Sequence, residues 1–451
     1  MVQAARRRTG HGRPPVRRRG EGVVVTVIDL GELRDDTAPG PAARRPRAVG
    51  RPFRSVVVLL VALVTLGAAA PPSRPAARTL AGGPGATAFV SGDRVYVVQP
   101  PDPQRGVGRQ LVAYHVGVGP LRTIWRTLVP GEGAGTTVWE QDGTVLLVGR
   151  AANDSGWETI GFDARTGRVS WLQPGVAFPA GGALLMQVPE VTGRQPFRRV
   201  AVSDGRTLWS APGTPDSLEL SFGPSGEVDR LVYLPADGET AVYDPASGAR
   251  LAARDLAPGD RPTRGRTLLA AGLLLVIGVD GGSVTAYDLD TLQRRWTAVL
   301  PLLGYAERCG RLLCATRLTG GMWALDPATG AVRWTGDRWT GTFGAAGGRL
   351  LVAAGEATAT GTPMAVVEEA TGRLVADLGV WEVVPQDEFD GRLFGIRRIR
   401  NSRQLLVELD PAGGRPVARD VLVGAIGDCR MGAKLVVCRH TNGGFALWRL
   451  P

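Results

Sequence analysis

ALDPATGAVRW, Ala324 to Trp334, reads as the corner between two short strands. An apolar strand ends at Leu325, Asp326-Pro327 opens a turn, and Gly330 can take the left-handed conformation that closes it. Val332 and Trp334 then alternate along the next strand. One hairpin of this kind decides nothing, but the unit recurs. GFDARTGRVSW starts at Gly161, VYDPASGARLA at Val242, AYDLDTLQRRW at Ala286, VVEEATGRLVA at Val366 and ELDPAGGRPVA at Glu408. AVSDGRTLW, from Ala201, reads as the same unit with a shortened turn, and AYHVGVGPLRTIW, from Ala113, as a looser copy. The chain ends in FALWRL, which supplies only the first part of the unit. The residues before the turn are Tyr114, Phe162, Val202, Tyr243, Tyr287, Leu325, Val367, Leu409 and Leu447, spaced 38 to 48 apart. That spacing is the length of one four-stranded propeller blade.

Each unit has an earlier half. AGLLLVIGVDG, CGRLLCATR, GGRLLVAAG and AKLVVCRH are apolar strands bounded by turn residues. The expected fold is therefore all-β: a β-propeller of four-stranded blades, eight in number with seven as the alternative. Strands near Phe89–Val98 are expected to complete a sheet begun by Lys434–Leu450, because an open ring would leave an unpaired edge. Trp125, Trp171, Trp209, Trp296 and Trp334 follow their turns at similar distances and suit the wedge between neighbouring blades. Ala252, Ala376 and Ala418 hold the aligned place elsewhere, which predicts looser contacts there.

The net charge of +11 is not a nucleic-acid signature. Residues 1–54 carry 13 arginines against five acids, whereas from residue 73 onward 40 basic residues face 37 acidic ones. The boundary between the two is SVVVLLVALVTLGAAAPP, Ser55 to Pro72, an uncharged apolar run short for a bilayer core of about 30 Å. With arginines stopping at Arg54, the charge bias predicts residues 1–54 in the cytoplasm and the repeats outside. The organisation expected is a disordered basic tail over 1–54, a transmembrane anchor over 55–72, a linker over 73–85 and an extracytoplasmic propeller over 86–451. A cleaved signal ending at Ala68-Ala69-Ala70 is the alternative to the anchor. Within the tail, EGVVVTVIDLGELRDD, residues 21–36, is a candidate docking motif for a cytoplasmic partner.

All four cysteines lie beyond the apolar run, in two local pairs, as export predicts. Cys309 with Cys314 and Cys429 with Cys438 are candidate disulfides across hairpins. Their spacings do not suit zinc, and His115 and His440 stand apart from any acid pair. No catalytic, cofactor-binding or metal-ligating residue is singled out. No nucleophile has a base marked beside it, and no glycine-rich loop is followed by Lys-Ser/Thr.

The repeats resemble the quinoprotein-type, PQQ-like β-propeller family, whose consensus is A-x-D-x-x-T-G-x-x-x-W. Ala324, Asp326, Thr329, Gly330 and Trp334 match it in full; Asp163, Thr166, Gly167 and Trp171 match in an earlier copy. Ala286, Asp288, Thr291 and Trp296 also match, but Leu292 stands where the glycine belongs. The resemblance covers about 86–451 and implies the fold. The family contains quinone-dependent dehydrogenases, an outer-membrane assembly lipoprotein and membrane-anchored proteins of unassigned role. Its alcohol dehydrogenases place the cofactor under a disulfide of adjacent cysteines and use calcium held by Glu and Asn, with an Asp base. This chain has no adjacent cysteines. The expectation is a non-catalytic extracytoplasmic binding or scaffold protein of a bacterial envelope, without cofactor. Its loops would meet an envelope protein or cell-wall polymer, and one helix would meet the membrane. The alternatives are a dehydrogenase using pyrroloquinoline quinone and calcium, and a membrane-anchored ligand sensor.

Overall fold

The computed structural model describes residues 56–61, 73–74 and 78–450, apart from 103, 105, 118, 131–134, 152–155, 188–196, 212–217, 224, 236–238, 257–265, 280, 388–390, 400–401 and 433. Residues 56–61 are helical. The rest of the apolar run 55–72 and the motif at 21–36 lie outside the described residues. No described helix is long and apolar enough to cross a membrane.

From residue 73 onward the described elements are strands. Thr87–Ser91, Arg94–Gln99, Gln110–His115 and Arg122–Leu128 form an antiparallel meander of four. The same plan repeats in separate four-stranded sheets over 135–174, 176–211, 218–254, 267–299 and 303–336. These are called units 1 to 6. Seven strands over 341–423, with Ser73–Arg74 at one edge, form one eight-stranded sheet, in which the long strand Leu374–Val383 first pairs with Thr362–Glu368 and then, from Glu382, with Phe394–Ile399. Neighbouring sheets touch in turn, mostly through their first strands, and the sheet beginning at Ala425–Met431 packs back on Thr87–Ser91, so the array closes on itself.

The burial pattern explains why these sequences make these strands. The second strands are near-continuous apolar runs such as Leu273–Ile277, buried on both faces by the adjoining sheets. Several fourth strands bury one residue and show the rest. In Val169–Pro174 and in Arg294–Val299 the buried residue is the tryptophan, Trp171 or Trp296. Both expected disulfides are present, Cys309–Cys314 and Cys429–Cys438, each tying the first strand of a sheet to its second.

Several expectations are corrected. The closing sheet is completed by Arg78–Leu80, which pairs antiparallel with Phe445–Arg449. Phe89–Val98 belongs to unit 1 instead. The segment 73–85 is thus more than a linker: Ser73–Arg74 also pairs in parallel with Val421 and Leu422. FALWRL is the third strand of a complete sheet, not a fragment. Its pre-turn residue is Trp448 rather than Leu447, since Leu450 N bonds Lys434 O as Ala164 N bonds Gly143 O in unit 2. The turn of AVSDGRTLW is of full length. Gly205 N reaches Ala201 O just as Gly167 N reaches Asp163 O, which puts Val200, not Val202, before the turn.

Candidate functional site

The repeat signature is brought together by contacts between sheets. In each turn the acid folds onto its own backbone. Asp163 Oδ1 accepts from the Thr166 amide and hydroxyl, both at 2.7 Å, and Asp288 Oδ1 accepts from Thr291 in the same way. Asp326 takes the Ala328 amide at 2.9 Å and is gripped by Arg333. The turn glycine has φ near +70° (Gly167 72°, Gly330 71°), where a side chain is strained. It also lies under the tryptophan of the preceding sheet. A Cβ on Gly167 would stand 2.6 Å from Trp125, and one on Gly330 2.5 Å from Trp296. The indole N–H then donates to the residue after the turn's first: Trp125 to Ala164 O at 2.9 Å, Trp171 to Val202 O at 2.8 Å, Trp296 to Pro327 O at 2.9 Å, and Trp334 to Glu369 O at 2.8 Å. Trp209 lies on Gly248 in the same manner. Asp, Thr, Gly and Trp are therefore parts of an inter-sheet latch, and the wedge role expected of the tryptophans is observed.

Between units 4 and 5 the tryptophan is missing, and the glycine is missing too. Ala252 stands at the tryptophan position of unit 4, and Leu292, fully buried with φ +53°, stands at the glycine position of unit 5. They share one apolar cluster, so the leucine fills the space that the ring would take. The looser contact expected at Ala252 is not seen. Ala376 has a different substitute: Arg349 donates to Ala412 O at 2.7 Å across the same junction.

Polar groups on the inner strands serve neighbouring units. Glu219 and Glu307 occupy one register position in units 4 and 6, opposite Val232 and Cys314. Glu307 takes the Thr342 amide of the next sheet at 3.0 Å and its hydroxyl, and Glu219 faces Thr267 at 3.4 Å. At the closing seam Asp387 accepts from Val90 N at 2.7 Å and from Arg430 at 2.8 Å. Arg430 and Arg439 lie over Phe89 and Phe445 at 4.5 and 4.3 Å, and Arg439 donates to Gly83 O and Ala86 O. These arginines edge a cavity of about 550 Å³, but their charges are already committed to joining the two ends of the chain. The sequence offered no signal for Glu219, Glu307 or Asp387, because the first strands carry no consensus. His115 pairs with Asp93 at 3.1 Å and His440 accepts from Asn442 N, so both histidines belong to turns.

One end of units 5 and 6 is different. Val279, Val299 and Leu318 are 74%, 78% and 74% exposed, and Leu302 and Tyr305 are exposed beside them. The loops interlock: Leu302 N bonds Gly281 O and Leu318 N bonds Leu302 O. Leu302 has φ +58°, a conformation that costs a non-glycine residue about 1 kcal/mol. An apolar side chain is held out to water on a strained backbone.

Residues 122–336 match the family described as outer membrane protein assembly factor BamB. The repeats are PQQ-like β-propeller repeats. No curated protein matches the chain significantly. Among solved structures, BamB from Moraxella catarrhalis is 15% identical, with 69% of this chain and 90% of that one covered at a TM-score of 0.41. The computationally designed Ika8 protein is 14% identical, covering 71% and 98% at 0.44. The quinohemoprotein alcohol dehydrogenase ADHIIG from Pseudomonas putida HK5 is 14% identical, covering 60% and 62% at 0.36.

Among the described residues no three His, Cys, Asp or Glu side chains gather as a cluster. Each cysteine is locked in a hairpin disulfide of its own sheet.

Two sets of acids are shifted in opposite directions. Hydrogen bonds from Thr166, Ser247 and Thr371 hold Asp163, Asp244 and Glu368 below the ordinary carboxylate range, and those from Arg295 and Arg333 do the same for Asp288 and Asp326. A depressed carboxylate stabilises the fold above its unfolded pKa and loses that contribution as pH falls through the folded value. Burial instead raises Glu158, Glu219 and Glu307, whose contributions are present below the unfolded value and fade as pH rises through the folded one. The melting temperature is therefore expected to hold or rise from neutral pH down to about 5 and to fall below about 4, the ordinary carboxylate range. Replacing Asp163, Asp244, Asp288 and Asp326 together by Asn should flatten only the acid limb, as read by calorimetry across pH. A melting temperature that falls steadily from neutral pH would contradict this account.

Proposed function

We propose that the chain is a non-catalytic extracytoplasmic binding or scaffold protein of the bacterial cell envelope. In this reading the segment 55–72 anchors it, residues 1–54 are cytoplasmic and the propeller stands outside. Each set of four strands is one blade, and the eight-stranded sheet counts as two blades divided at Trp381–Glu382. The ring then has nine blades, one more than the repeat count predicts, because Arg78–Leu80 makes the last sheet whole.

The observation that carries the reading is the exposed apolar loop cluster around Leu302. Contiguous exposed apolar surface is expensive in water and marks contact with another molecule. Strain kept at Leu302 points the same way, since a glycine there would remove it. Aliphatic side chains with one tyrosine suit another envelope protein better than a sugar polymer.

The test joins a gain of stability to a loss of contact. Leu302→Gly is expected to leave the melting temperature equal or slightly raised. A photo-crosslinker at position 318 of the full chain in intact cells should give a discrete crosslinked protein, lost in the Leu302→Gly background. The same reagent at position 165, on the opposite end of the blades, should give none. Purified protein with added quinone and calcium should neither bind the quinone stoichiometrically nor pass electrons from alcohols or aldoses to a dye. Turnover in that assay would replace the scaffold reading with the dehydrogenase one.

A further inference from the structure

The chain is bound into the propeller almost where its apolar run ends. Ser73–Arg74 pairs in parallel with Val421 and Leu422 on Arg415–Val423, the outer strand of the eight-stranded sheet. Only Pro71 and Pro72 stand between Ala70 and Ser73. Three residue steps reach about 10 Å even at full extension. In the anchor reading, on which this inference rests, Ala70 closes the hydrocarbon span, and the headgroup layer beyond it is about 5–8 Å deep. The outer edge of this sheet is then held at headgroup level and not hung on a tether. Charge points to the same edge. Residues 391–423 hold seven arginines against three acids, an excess of four. The whole of 73–451 holds 40 basic residues against 37 acidic ones, an excess of only three. Arg403 and Arg415 are exposed and form no ion pair among the described residues. Arg403 lies opposite Val423, one residue beyond the pairing of Arg74, and Arg415 opens the outer strand.

We infer that the outer edge of this sheet, from Arg415 to Val423 with Arg403 beside it, rests on the bilayer and binds the headgroups of anionic phospholipids. Arginine's planar fork matches a phosphate with two parallel bonds. Basic side chains next to a membrane span are drawn to anionic lipid within about a Debye length, roughly 8 Å at physiological salt. The short path from Ala70 keeps the edge inside that range. Among the described residues Ser73–Arg74 covers only Val421 and Leu422 of the outer strand, which leaves Arg415–Asp420 as an uncovered edge. Such an edge invites pairing with another chain, and seating it on headgroups removes it from reach. Arg419 is held by Glu408 on the same sheet, so Arg403 and Arg415 are the groups left to meet phosphate.

The experiment reconstitutes the full-length protein into phosphatidylcholine vesicles with or without phosphatidylglycerol, each carrying some lipid with a nitroxide on its headgroup. All native cysteines are paired, so one added cysteine takes a fluorophore: Ala418→Cys on the outer strand, or Leu208→Cys on the outer strand of unit 3 as the control. Both positions are exposed. In vesicles with phosphatidylglycerol the label at 418 should lose about half of its emission or more, as a group within the headgroup layer, and the label at 208 should lose little. Arg403→Gln with Arg415→Gln, confirmed folded by its melting curve, should cut the loss at 418 about twofold or more, and so should omitting phosphatidylglycerol. Retention on the vesicles through an alkaline wash tests the anchor reading by itself, and protein that washes off ends both. Retained protein whose label at 418 is quenched no more than that at 208 overturns this inference alone. So does quenching at 418 that neither lipid charge nor the two substitutions alter, which would be nearness without binding. An edge taken instead by a second copy would show as self-quenching between labels at 418 and would overturn it too.

Discussion

Ala252→Trp alone is expected to destabilise the propeller by about 2–4 kcal/mol, and adding Leu292→Gly is expected to recover most of that loss. The reason lies in the latch. An indole at 252 would meet the buried Leu292 side chain, because in units 2, 4 and 6 the corresponding turn position is a glycine pressed against the preceding ring. Leu292→Gly alone should also be destabilising, by about 2–5 kcal/mol for the emptied space, offset in part by relief of the strain at φ +53°. Together the two changes rebuild the arrangement seen between Trp296 and Gly330, with the new indole N–H placed to donate to Leu289 O. Equilibrium denaturation of the four proteins measures the coupling. Two losses that simply add would show that Ala252 and Leu292 are unrelated substitutions.

That pair also shows how far the sequence could be read. Asp326, Thr329, Gly330 and Trp334 lie within eleven consecutive residues, and the hairpin they specify repeats at blade length, so local chemistry names the fold. What the string cannot display is the partner of each side chain. Trp296 meets the next unit's glycine, 34 residues downstream, and the compensation of Ala252 by Leu292 crosses the same kind of gap. Read within its own unit, Ala252 looks like a weakness; read across the junction, it is matched. The turn at Ala201 was misjudged for a related reason. Its acid stands three residues late, at Asp204, so aligning on the acid shortens the turn, whereas the bond from Gly205 N to Ala201 O gives its true length. The Leu302 cluster was invisible for another reason: it is made of loop ends, which carry no consensus to align.

Removal of residues 1–80 is expected to destabilise the ring by about 3–5 kcal/mol, whereas removal of 1–77 should cost far less. The difference is three residues. Arg78, Thr79 and Leu80 pair with Leu447, Ala446 and Phe445, and Leu80 is buried in the cluster that holds Val437, Phe445 and Leu447. Taking them away exposes that apolar surface and leaves the strand Phe445–Arg449 with a free edge, a template for another chain. Two readouts separate these consequences. Denaturant unfolding reports the stability lost, and light scattering reports association through the edge, which should appear in the protein starting at Ala81 and not in the one starting at Arg78. Leu80→Ala in the full chain keeps the backbone pairing and removes only the side chain, so it should lower stability by about 2–3 kcal/mol without association. The seam arginines act on the same closure from the other side, since Arg439 reaches Gly83 O and Ala86 O beyond the strand. Arg439→Met should therefore weaken the full chain and change the protein starting at Ala81 much less, because the end that Arg439 ties down is already loosened. Equal stability of the two truncated proteins would mean that closure does not run through Arg78–Leu80, and the ring would have to be held by the packing of Thr87–Ser91 alone.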